Sequence, residues 1–228
     1  MSAAPSVSIL IASERDPQRL ARCFAALARG VGAVDYEIVV LVNGGDEALR
    51  AFARRDHPRM HFVLAEANLG FAGAVNGARR HASGELLAIV HDDCLVCEGW
   101  LAPLLDGLER HPEAGLIASR IEVPDGGSFC GTVVFSDASF AIVPTAIAGA
   151  GLPTDSHTAA SLMRAEAFDG AGGCDERLFP AGVVDADLAM RMREAGWDVR
   201  CEPASGAEHA LGHNASTGWR AWTAKRNV

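Results

Sequence analysis

The chain has 228 residues, of which 49% are apolar and 21% are charged, and its net charge is −9. This length and composition predict one packed domain that folds without disulfides or metals, and they exclude a disordered chain. The acidic balance argues against a nucleic-acid-binding protein, because such proteins usually carry a basic domain. No apolar run reaches the roughly 18 residues that cross a bilayer, and the first residues lack the basic start of a signal peptide. We therefore expect a cytoplasmic protein, and we interpret its six scattered cysteines as free thiols.

Strands and helices alternate through the first half of the chain. Apolar runs predict four strands, at Val7–Ala12, Tyr36–Val42, His61–Ala65 and Leu86–Val90. Helices are predicted at Pro17–Arg29 with Asp16 as its N-cap, at Phe71–Ala82 and at Glu98–His111. Because the strands are continuous apolar runs, we predict an α/β fold with a mostly parallel sheet that is flanked by helices on both faces.

The pattern changes after Pro112. Further strands are predicted at Ile117–Val123, Gly131–Phe135 and Asp198–Cys201, and further helices at Arg164–Gly170 and Asp185–Ala195. Loops rich in Gly and Pro are predicted at Pro124–Ser128 and Thr145–His157. No linker separates the two parts, so we predict that both contribute to one sheet within a single domain that covers residues 1–228.

Polar residues and glycines follow each of the first four predicted strands. Open α/β sheets bind ligands at the carboxyl ends of their strands, so these residues are candidate ligand contacts. Polar loops at strand ends are equally what a sheet without a ligand would show. The residues are Ala12, Ser13 and Glu14 after the first strand, Asn43 after the second, Asn68, Gly70 and Phe71 after the third, and His91, Asp92 and Asp93 after the fourth.

The sequence His91-Asp92-Asp93 directly follows the apolar run Leu86–Val90, which places it at the edge of the predicted sheet. Two adjacent carboxylates repel each other unless a cation or solvent offsets their charge, and carboxylate oxygens suit Mg²⁺ or Mn²⁺. The alternative is a helix cap or a solvated loop before the next helix. The pair of carboxylates alone leaves both interpretations open.

Five segments of the chain occur in a recognisable order and spacing. They are Val7–Ser13, Tyr36–Gly45, Asn68–Gly77, Gly84–Leu101 and Gly172–Trp197. Together they resemble the family 2 glycosyltransferases of the GT-A fold, and most closely the bacterial rhamnosyltransferase-like branch. The resemblance covers nearly the whole chain, and it implies a single Rossmann-like sheet. It also implies a nucleotide-binding half at 1–111 and an acceptor and catalytic half at 112–228.

The resemblance implies an inverting enzyme that moves a sugar from a nucleoside-diphosphate sugar to the hydroxyl of a glycan or lipid-linked acceptor in cell-envelope or extracellular polysaccharide synthesis. Asp185 matches the catalytic base of the family, and Asp93 and His209 match its ligands for Mg²⁺ or Mn²⁺, with His213 as an alternative to His209. The matching donor contacts are Ala12, Ser13, Glu14, Asn43, Asn68, Gly70, Phe71, Asn76, Asp92 and Arg226.

Elementary chemistry is consistent with these roles. The acceptor hydroxyl has to lose its proton as it attacks, and an Asp exposed at the start of a helix is well placed to take it. The leaving diphosphate needs a divalent cation and hydrogen-bond donors, and the helix that starts near Phe71 would add the positive end of its dipole. Without the resemblance, Asp185 would be interpreted as a plain N-cap and His209 as a surface histidine.

Two positions depart from the family pattern. Val42 stands where the family usually has an Asp that contacts the nucleotide base or ribose, and Val184 replaces the acidic or amide residue before the base. Both favour an alternative, a catalytically degenerate GT-A domain that binds a glycan or a partner. The retained Asp93, Asp185 and His209 favour an active enzyme.

Other features of the sequence have competing interpretations. The spacing of Cys94 and Cys97 is typical of redox or zinc sites, but no second such pair exists, so we interpret it as coincidence. The segment 209–228 carries basic residues and Trp219 and Trp222; we expect it to line the diphosphate site, and the alternative is peripheral contact with the inner face of the membrane. A nucleotidyltransferase or a dinucleotide-binding oxidoreductase is disfavoured, because no glycine-rich loop follows the first strand.

Overall fold

The computed structural model describes residues 6–44, 47–55, 60–122, 127–134, 140–144, 157–178 and 184–209. Within these residues ten strands form one sheet. The strands are β1 (Val7–Ser13), β2 (Tyr36–Val42), β3 (Met60–Leu64), β4 (Leu86–Val90), β5 (Cys94–Val96), β6 (Ala114–Glu122), β7 (Ser128–Val134), β8 (Phe140–Pro144), β9 (Ala160–Arg164) and β10 (Asp198–His209). The helices are α1 (Pro17–Gly30), α2 (Glu47–Ala53), α3 (Gly70–Arg79), α4 (Leu101–Arg110), α5 (Ala165–Gly170) and α6 (Val184–Glu194).

The strand order across the sheet is β3-β2-β1-β4-β9-β6-β10-β5, with β7 paired to β6 and β8. The four strands from β3 to β4 are parallel neighbours, as their continuous apolar runs predict. Strand β9 lies antiparallel between β4 and β6 and joins the first half of the chain to the second. The prediction that both halves contribute to one sheet is confirmed, and the second half adds antiparallel pairs to it.

The sheet is covered by apolar clusters on both faces. Along β1, Ile9 and Ile11 belong to one cluster and Leu10 to the other, because successive side chains of a strand point to opposite faces. The first cluster includes Leu20 and Leu27 of α1 and Leu101 and Leu104 of α4. The second includes Val75 of α3, Phe168 of α5 and Leu188 of α6. Burial of each such side chain contributes about 1.5–3 kcal/mol, which explains why the strands carry apolar residues on both faces.

Local signals in the sequence determine how the helices start and pack. Asp16 caps α1 as predicted: it has a positive φ of 63°, and its side chain accepts hydrogen bonds from the backbone N–H groups of Gln18 and Arg19. In α3, a Cβ atom at Gly77 would overlap the side chain of Leu41, so this helix depends on glycine to lie close against β2. That close packing places the N-terminus of α3 at the carboxyl edge of the sheet.

Several boundaries differ from the predictions. Helix α3 ends at Arg79 rather than Ala82. Strand β10 continues to His209 instead of ending at Cys201, because after a shift of register between Glu202 and Gly206 it pairs again with β6 and also with β5. Arg164 ends β9 rather than starting a helix. The elements α2, β5, β8 and β9 were not predicted, since they are too short to show a clear period. No helix in the described ranges is long and apolar enough to cross a membrane.

Candidate active site at the carboxyl edge of the sheet

The loops after β1, β2 and β3 are joined by side-chain hydrogen bonds. Asn43 is 2% exposed; its Oδ1 accepts from the Leu69 N–H at 2.7 Å, and its Nδ2 donates to Asn68 Oδ1 at 3.0 Å. Asn68 in turn donates from Nδ2 to Glu14 Oε1 at 2.8 Å and accepts from the Gly70 N–H at 2.8 Å. We call Glu14, Asn43 and Asn68 the loop network. It occupies the N–H groups at the start of α3 and fixes the three loops relative to one another.

Asp92 connects the loop after β4 to the loop after β1. The Ser13 hydroxyl, which is 1% exposed, donates to Asp92 Oδ2 at 2.7 Å, and Arg19 Nη1 lies 3.8 Å from Asp92 Oδ1. Burial raises the pKa of Asp92 to about 6; the bond from Ser13 opposes that rise, and the charge of Asp93 adds to it. The first carboxylate of the pair is therefore held within the protein, and the second is turned elsewhere.

That second carboxylate belongs to a group of three potential metal ligands. One ligand atom from each of His91, Asp93 and His209 lies within 4.8 Å of the other two, and we call these residues the His–Asp–His cluster. His209 Nε2 is 3.1 Å from Asp93 Oδ1, and the rings of the two histidines are 5.2 Å apart. The sheet explains the proximity: β10 pairs antiparallel with β5, which sets His209 opposite Cys94, the residue after Asp93.

Burial and charge set the protonation of the His–Asp–His cluster. Burial and the charge of His209 lower the pKa of His91 to about 4 against the opposing charge of Asp93, so this imidazole is neutral at physiological pH. Burial raises the pKa of Asp93, but the hydrogen bond and charge of His209 outweigh that effect and leave the pKa below its ordinary value. Neutral imidazole and ionised carboxylate are the states that metal binding requires.

Asp185 lies in the first turn of α6, close to the cluster. Its Oδ1 accepts a hydrogen bond of 2.5 Å from the Thr158 hydroxyl, whose oxygen is also 3.4 Å from His91 Nε2. Asp185 is half-buried, whereas the sequence predicted an exposed position. Burial raises its pKa, and the bond from Thr158 and the charge of His157 oppose that rise. A carboxylate with a raised pKa is a better proton acceptor than an ordinary one.

An open cleft of about 180 Å³ lies between α1 and the loop after β4. Its lining residues are Asp16, Arg19, Arg22, Asp92, Asp93 and Leu95. Asp93 is thus reached from the cleft, and its side chain is 14% exposed. Two guanidinium groups line the same space as the carboxylates, which provides positive charge for an anionic ligand.

The sequence matches the family model described as Glycosyl transferase family 2 over residues 8–169. The chain belongs to glycosyl transferase family 2. The O-antigen biosynthesis protein RfbC of Myxococcus xanthus is 25% identical to this family 2 chain in an alignment 233 residues long, which covers 95% of the chain and 18% of that protein. The N-acetylglucosaminyl-diphospho-decaprenol L-rhamnosyltransferase of Mycobacterium tuberculosis is 26% identical in an alignment 215 residues long, which covers 78% of the chain and 67% of that protein.

Solved structures show the same architecture as this glycosyltransferase chain. The mannosyltransferase PcManGT from Pyrobaculum calidifontis, in complex with GDP-Man and Mn²⁺, superposes with a TM-score of 0.72 at 19% identity. The superposition includes 96% of this chain and 61% of the mannosyltransferase chain. GalNAc-T7 with UDP, GalNAc and Mn²⁺ superposes with a TM-score of 0.72 at 15% identity. The superposition includes 93% of this chain and 45% of the GalNAc-T7 chain. The fold is the GT-A fold, as the resemblance implies.

Two residues of the glycosyltransferase that were predicted to contact the donor form hydrogen bonds within the protein. Asn76 accepts from the Cys174 N–H at 2.9 Å and donates to the Cys174 carbonyl and to Glu176, each at 2.9 Å, so it joins α3 to the segment before α6. Asn43 is buried and uses both ends of its amide in the loop network. Both residues position loops in this structure, and their assignment as direct donor contacts stays a prediction.

Other predicted donor contacts lie at the carboxyl edge of the sheet. The Phe71 ring is 4.9 Å from the ring of His91, edge to face. Gly70 starts α3 with a positive φ of 69°, which favours glycine there. Ala12 is paired with Leu41 near the carboxyl ends of β1 and β2. Arg226 and the alternative ligand His213 lie outside the described residues.

Val42 does not face the loops at the carboxyl edge. Its side chain is 0% exposed and belongs to the apolar cluster that includes Val40 and Leu49. An Asp at this position would carry its carboxylate into that cluster.

Sequence reasoning missed Thr158 and Arg19. Thr158 is 67 residues away from His91 along the chain and is fully buried, and a lone threonine before a short strand carries no signal. Arg19 lies on the first turn of α1, three residues after its N-cap, on the side that faces the loop after β4. The one signal in the sequence for Arg19 was its place at the start of a helix that follows the carboxyl end of a strand.

Proposed function

We propose that the chain is an inverting, metal-dependent glycosyltransferase that moves a sugar from a nucleoside-diphosphate sugar to an acceptor hydroxyl. The observation that carries the proposal is the placement of the His–Asp–His cluster next to Asp185 at the carboxyl edge of the sheet, with one hydroxyl between them. The proposed site for the diphosphate and the proposed base for the acceptor are thereby linked through the hydroxyl of Thr158.

The cluster suits a divalent cation. Asp93 and His209 would hold it, with His91 as a third donor, and their mixed oxygen and nitrogen atoms suit Mn²⁺ better than the all-oxygen shell that Mg²⁺ prefers. When bound, the cation offsets the charge of the departing diphosphate. Arg19 and Arg22, which line the adjoining cleft, would add positive charge near the same group.

Asp185 serves as the general base in this proposal. Its carboxylate is fixed through Oδ1, and its raised pKa brings it closer to that of a proton acceptor that works near neutral pH. The neighbouring acid Asp187 is a weaker candidate, because both of its contacts to Arg191, at 2.9 and 2.6 Å, commit its carboxylate to an ion pair.

The relatives suggest the wider role. Similarity to an O-antigen biosynthesis protein and to a rhamnosyltransferase that uses a diphospho-decaprenol substrate supports action in the synthesis of a cell-envelope polysaccharide on a lipid-linked acceptor. Such an acceptor would bring the protein to the inner face of the membrane. The similar mannosyltransferase structure contains GDP-Man and Mn²⁺, which supports a nucleotide sugar and Mn²⁺ as the first ligands to try.

A thermal-shift assay with UDP, GDP and dTDP, each with MnCl₂, tests the proposal. A nucleotide that binds the folded state raises the unfolding temperature by mass action. We expect EDTA to abolish the shift and Asp93→Ala to weaken nucleotide affinity by at least about tenfold. The matched control is Asp106→Ala, which removes an exposed acid of α4 and should change nothing. An affinity that is unaffected by EDTA and by Asp93→Ala would refute the metal site.

The same assay addresses the degenerate GT-A domain. The observation that favours it is Val184 at the position before Asp185, because this valine is buried and offers no polar group to an acceptor. A degenerate domain would bind a nucleotide with MnCl₂ but release no nucleoside diphosphate from dTDP-rhamnose, GDP-mannose or UDP-N-acetylglucosamine. Release of dTDP, GDP or UDP from one of these donors, lost in Asp185→Asn, supports the enzyme.

A further inference from the structure

Thr158 is a polar side chain with no exposed surface at the centre of the site. Its hydroxyl lies between two groups of the proposed machinery, 2.5 Å from Asp185 Oδ1 and 3.4 Å from His91 Nε2. A buried hydroxyl without hydrogen bonds destabilises the folded state. The fully buried hydroxyl of Thr158 is therefore tolerated because of the hydrogen bonds that it makes.

The sheet fixes the position of this hydroxyl. Strand β9 begins two residues later and pairs antiparallel with β4, so that Ala160 lies opposite Val90. The ladder continues beyond the strand, because the His91 N–H donates to the Ala159 carbonyl at 2.9 Å. Thr158 therefore stands beside His91 by the register of two central strands rather than by the conformation of a loop.

Hydrogen-bond inventory sets the direction of each bond. An ionised carboxylate only accepts, so the single hydroxyl proton of Thr158 goes to Asp185. The hydroxyl oxygen then accepts, and the partner on His91 has to be an Nε2–H. This selects the tautomer of His91 in which Nδ1 keeps its lone pair, free for a cation.

We infer that Thr158 is a positioning residue that orients Asp185 for proton transfer and holds His91 in the Nε2–H tautomer. This inference rests on the proposed role of Asp185 as the base. Anchoring of Oδ1 leaves the carboxylate in one orientation toward the acceptor. Thr158 itself touches neither donor nor acceptor in this assignment. Asp93 and His209 still hold the cation when the tautomer of His91 changes, so at saturating MnCl₂ the effect of Thr158 falls on turnover and not on nucleotide affinity.

Three substitutions in the full chain test the inference. Thr158→Val keeps the shape and removes the hydroxyl, Thr158→Ser keeps the hydroxyl, and Thr158→Ala serves if the valine variant does not fold. With MnCl₂ and whichever of dTDP-rhamnose, GDP-mannose or UDP-N-acetylglucosamine the wild type consumes, we expect kcat to fall about tenfold to a hundredfold in the valine variant, since misplacement of a reacting group has costs of that size. The serine variant should recover to within about threefold, and nucleotide affinity should stay unchanged.

A double-mutant cycle separates positioning from a structural effect. If Thr158 acts through Asp185, Thr158→Val causes no further loss of turnover in the Asp185→Asn background, whereas independent effects multiply. Multiplying effects, an unchanged kcat in Thr158→Val, or a serine variant as slow as the valine variant would each overturn the inference. An Asp185→Asn protein with normal turnover would instead overturn the proposed function itself.

The tautomer can be measured without a donor. Nitrogen NMR of the histidine rings in the chain without added ligand should show His91 as the Nε2–H form in the wild type and in Thr158→Ser. In Thr158→Val and Thr158→Ala the preference should weaken toward a mixture. A His91 tautomer that is the same in all four proteins would contradict the contact, whatever the outcome of the kinetic experiments.

Discussion

Two polar groups at the same edge of the sheet differ in what their residues are free to do. The loop network of Glu14, Asn43 and Asn68 satisfies its hydrogen bonds within the protein and joins the ends of parallel strands. In the His–Asp–His cluster and beside it, the pKa values of His91, Asp93 and Asp185 are shifted by burial and by neighbouring charges. The first group is built like a scaffold and the second like a reactive site. Substitutions should therefore affect stability in one group and chemistry in the other.

The largest expected effect is on turnover in Asp185→Asn. Loss of the general base should reduce sugar transfer by about 10²–10⁴-fold, while nucleotide affinity and unfolding temperature stay close to wild type. Release of the nucleoside diphosphate and thermal unfolding measure the two effects. The matched control is Asp187→Asn, two residues further along α6, which should retain most of the activity. Near-normal transfer in a folded Asp185→Asn protein would contradict the interpretation of Asp185 and the cluster as a reactive site.

Val42→Asp should act on stability rather than on nucleotide choice. The side chain is fully buried among apolar residues, so a carboxyl group there should lower the free energy of unfolding by about 3 kcal/mol. Urea unfolding measures the change, and Val42→Ala, which removes volume without adding a polar group, should cost less. If Val42→Asp unfolds like the wild type and sharpens the preference for one nucleoside diphosphate, Val42 lies in the nucleotide pocket after all.

Asn43→Ala sharpens the comparison within the loop network. It removes the acceptor of the part-buried Leu69 N–H and the donor to the buried Gly70 carbonyl, which should cost about 1–3 kcal/mol in urea unfolding. By contrast, Asp93→Ala should lower stability by less than that and nucleotide affinity by more. Gln18→Ala, at an exposed position of α1, is the control. Equal losses of stability in Asn43→Ala and Asp93→Ala would show that the cluster is also structural.

The smallest effect concerns a carboxylate at the opposite edge of the sheet. Glu37 accepts hydrogen bonds from Ser8 Oγ at 2.6 Å and from the N–H and hydroxyl of Ser83 at 2.7 and 2.9 Å. Burial raises its pKa, but these bonds outweigh burial and leave the pKa below the ordinary value. The stability that Glu37 contributes is therefore present above its unfolded-state pKa and is lost as the pH falls through the folded-state pKa.

Thermal unfolding of the wild type and Glu37→Gln across pH 6 to about 3 tests this. At pH 6 the variant should be less stable by at most about 1 kcal/mol, because the carboxylate is partly solvated, and the gap should close as the pH falls. A gap that is constant with pH would mean that the bonds do not depend on the charge of Glu37.

The sequence predicted the parts of this molecule that depend on local patterns. Apolar runs located β1, β2 and β4 to within a residue, and the rule that ligands bind at the carboxyl ends of strands led to Asn68 and Asp93. It did not predict that Asn43 and Asn68 would bond to each other, because that depends on the distance between two loops. The bonds from Asn76 to Cys174 and Glu176 were not predicted for the same reason.

Contacts between distant segments could not be predicted from periodicity. His209 was indicated by the family resemblance alone, since residues 202–206 contain Pro203, Ser205 and Gly206 and do not read as a strand; the register of β10 against β6 shifts between Glu202 and Gly206. Thr158 was missed entirely, because its position beside His91 comes from the pairing of β9 with β4.

The length of β10 has a consequence for synthesis. The three donors of the cluster are separated by up to 118 residues along the chain, and the last of them is His209, the final residue of that strand. Because a ribosome makes the N-terminal part first, the parallel strands can pair well before His209 has been added. A nascent chain at that stage holds two of the three donors. Cation affinity should therefore appear late in translation, and pulse-labelled truncations that end before residue 209 should fail to retain Mn²⁺.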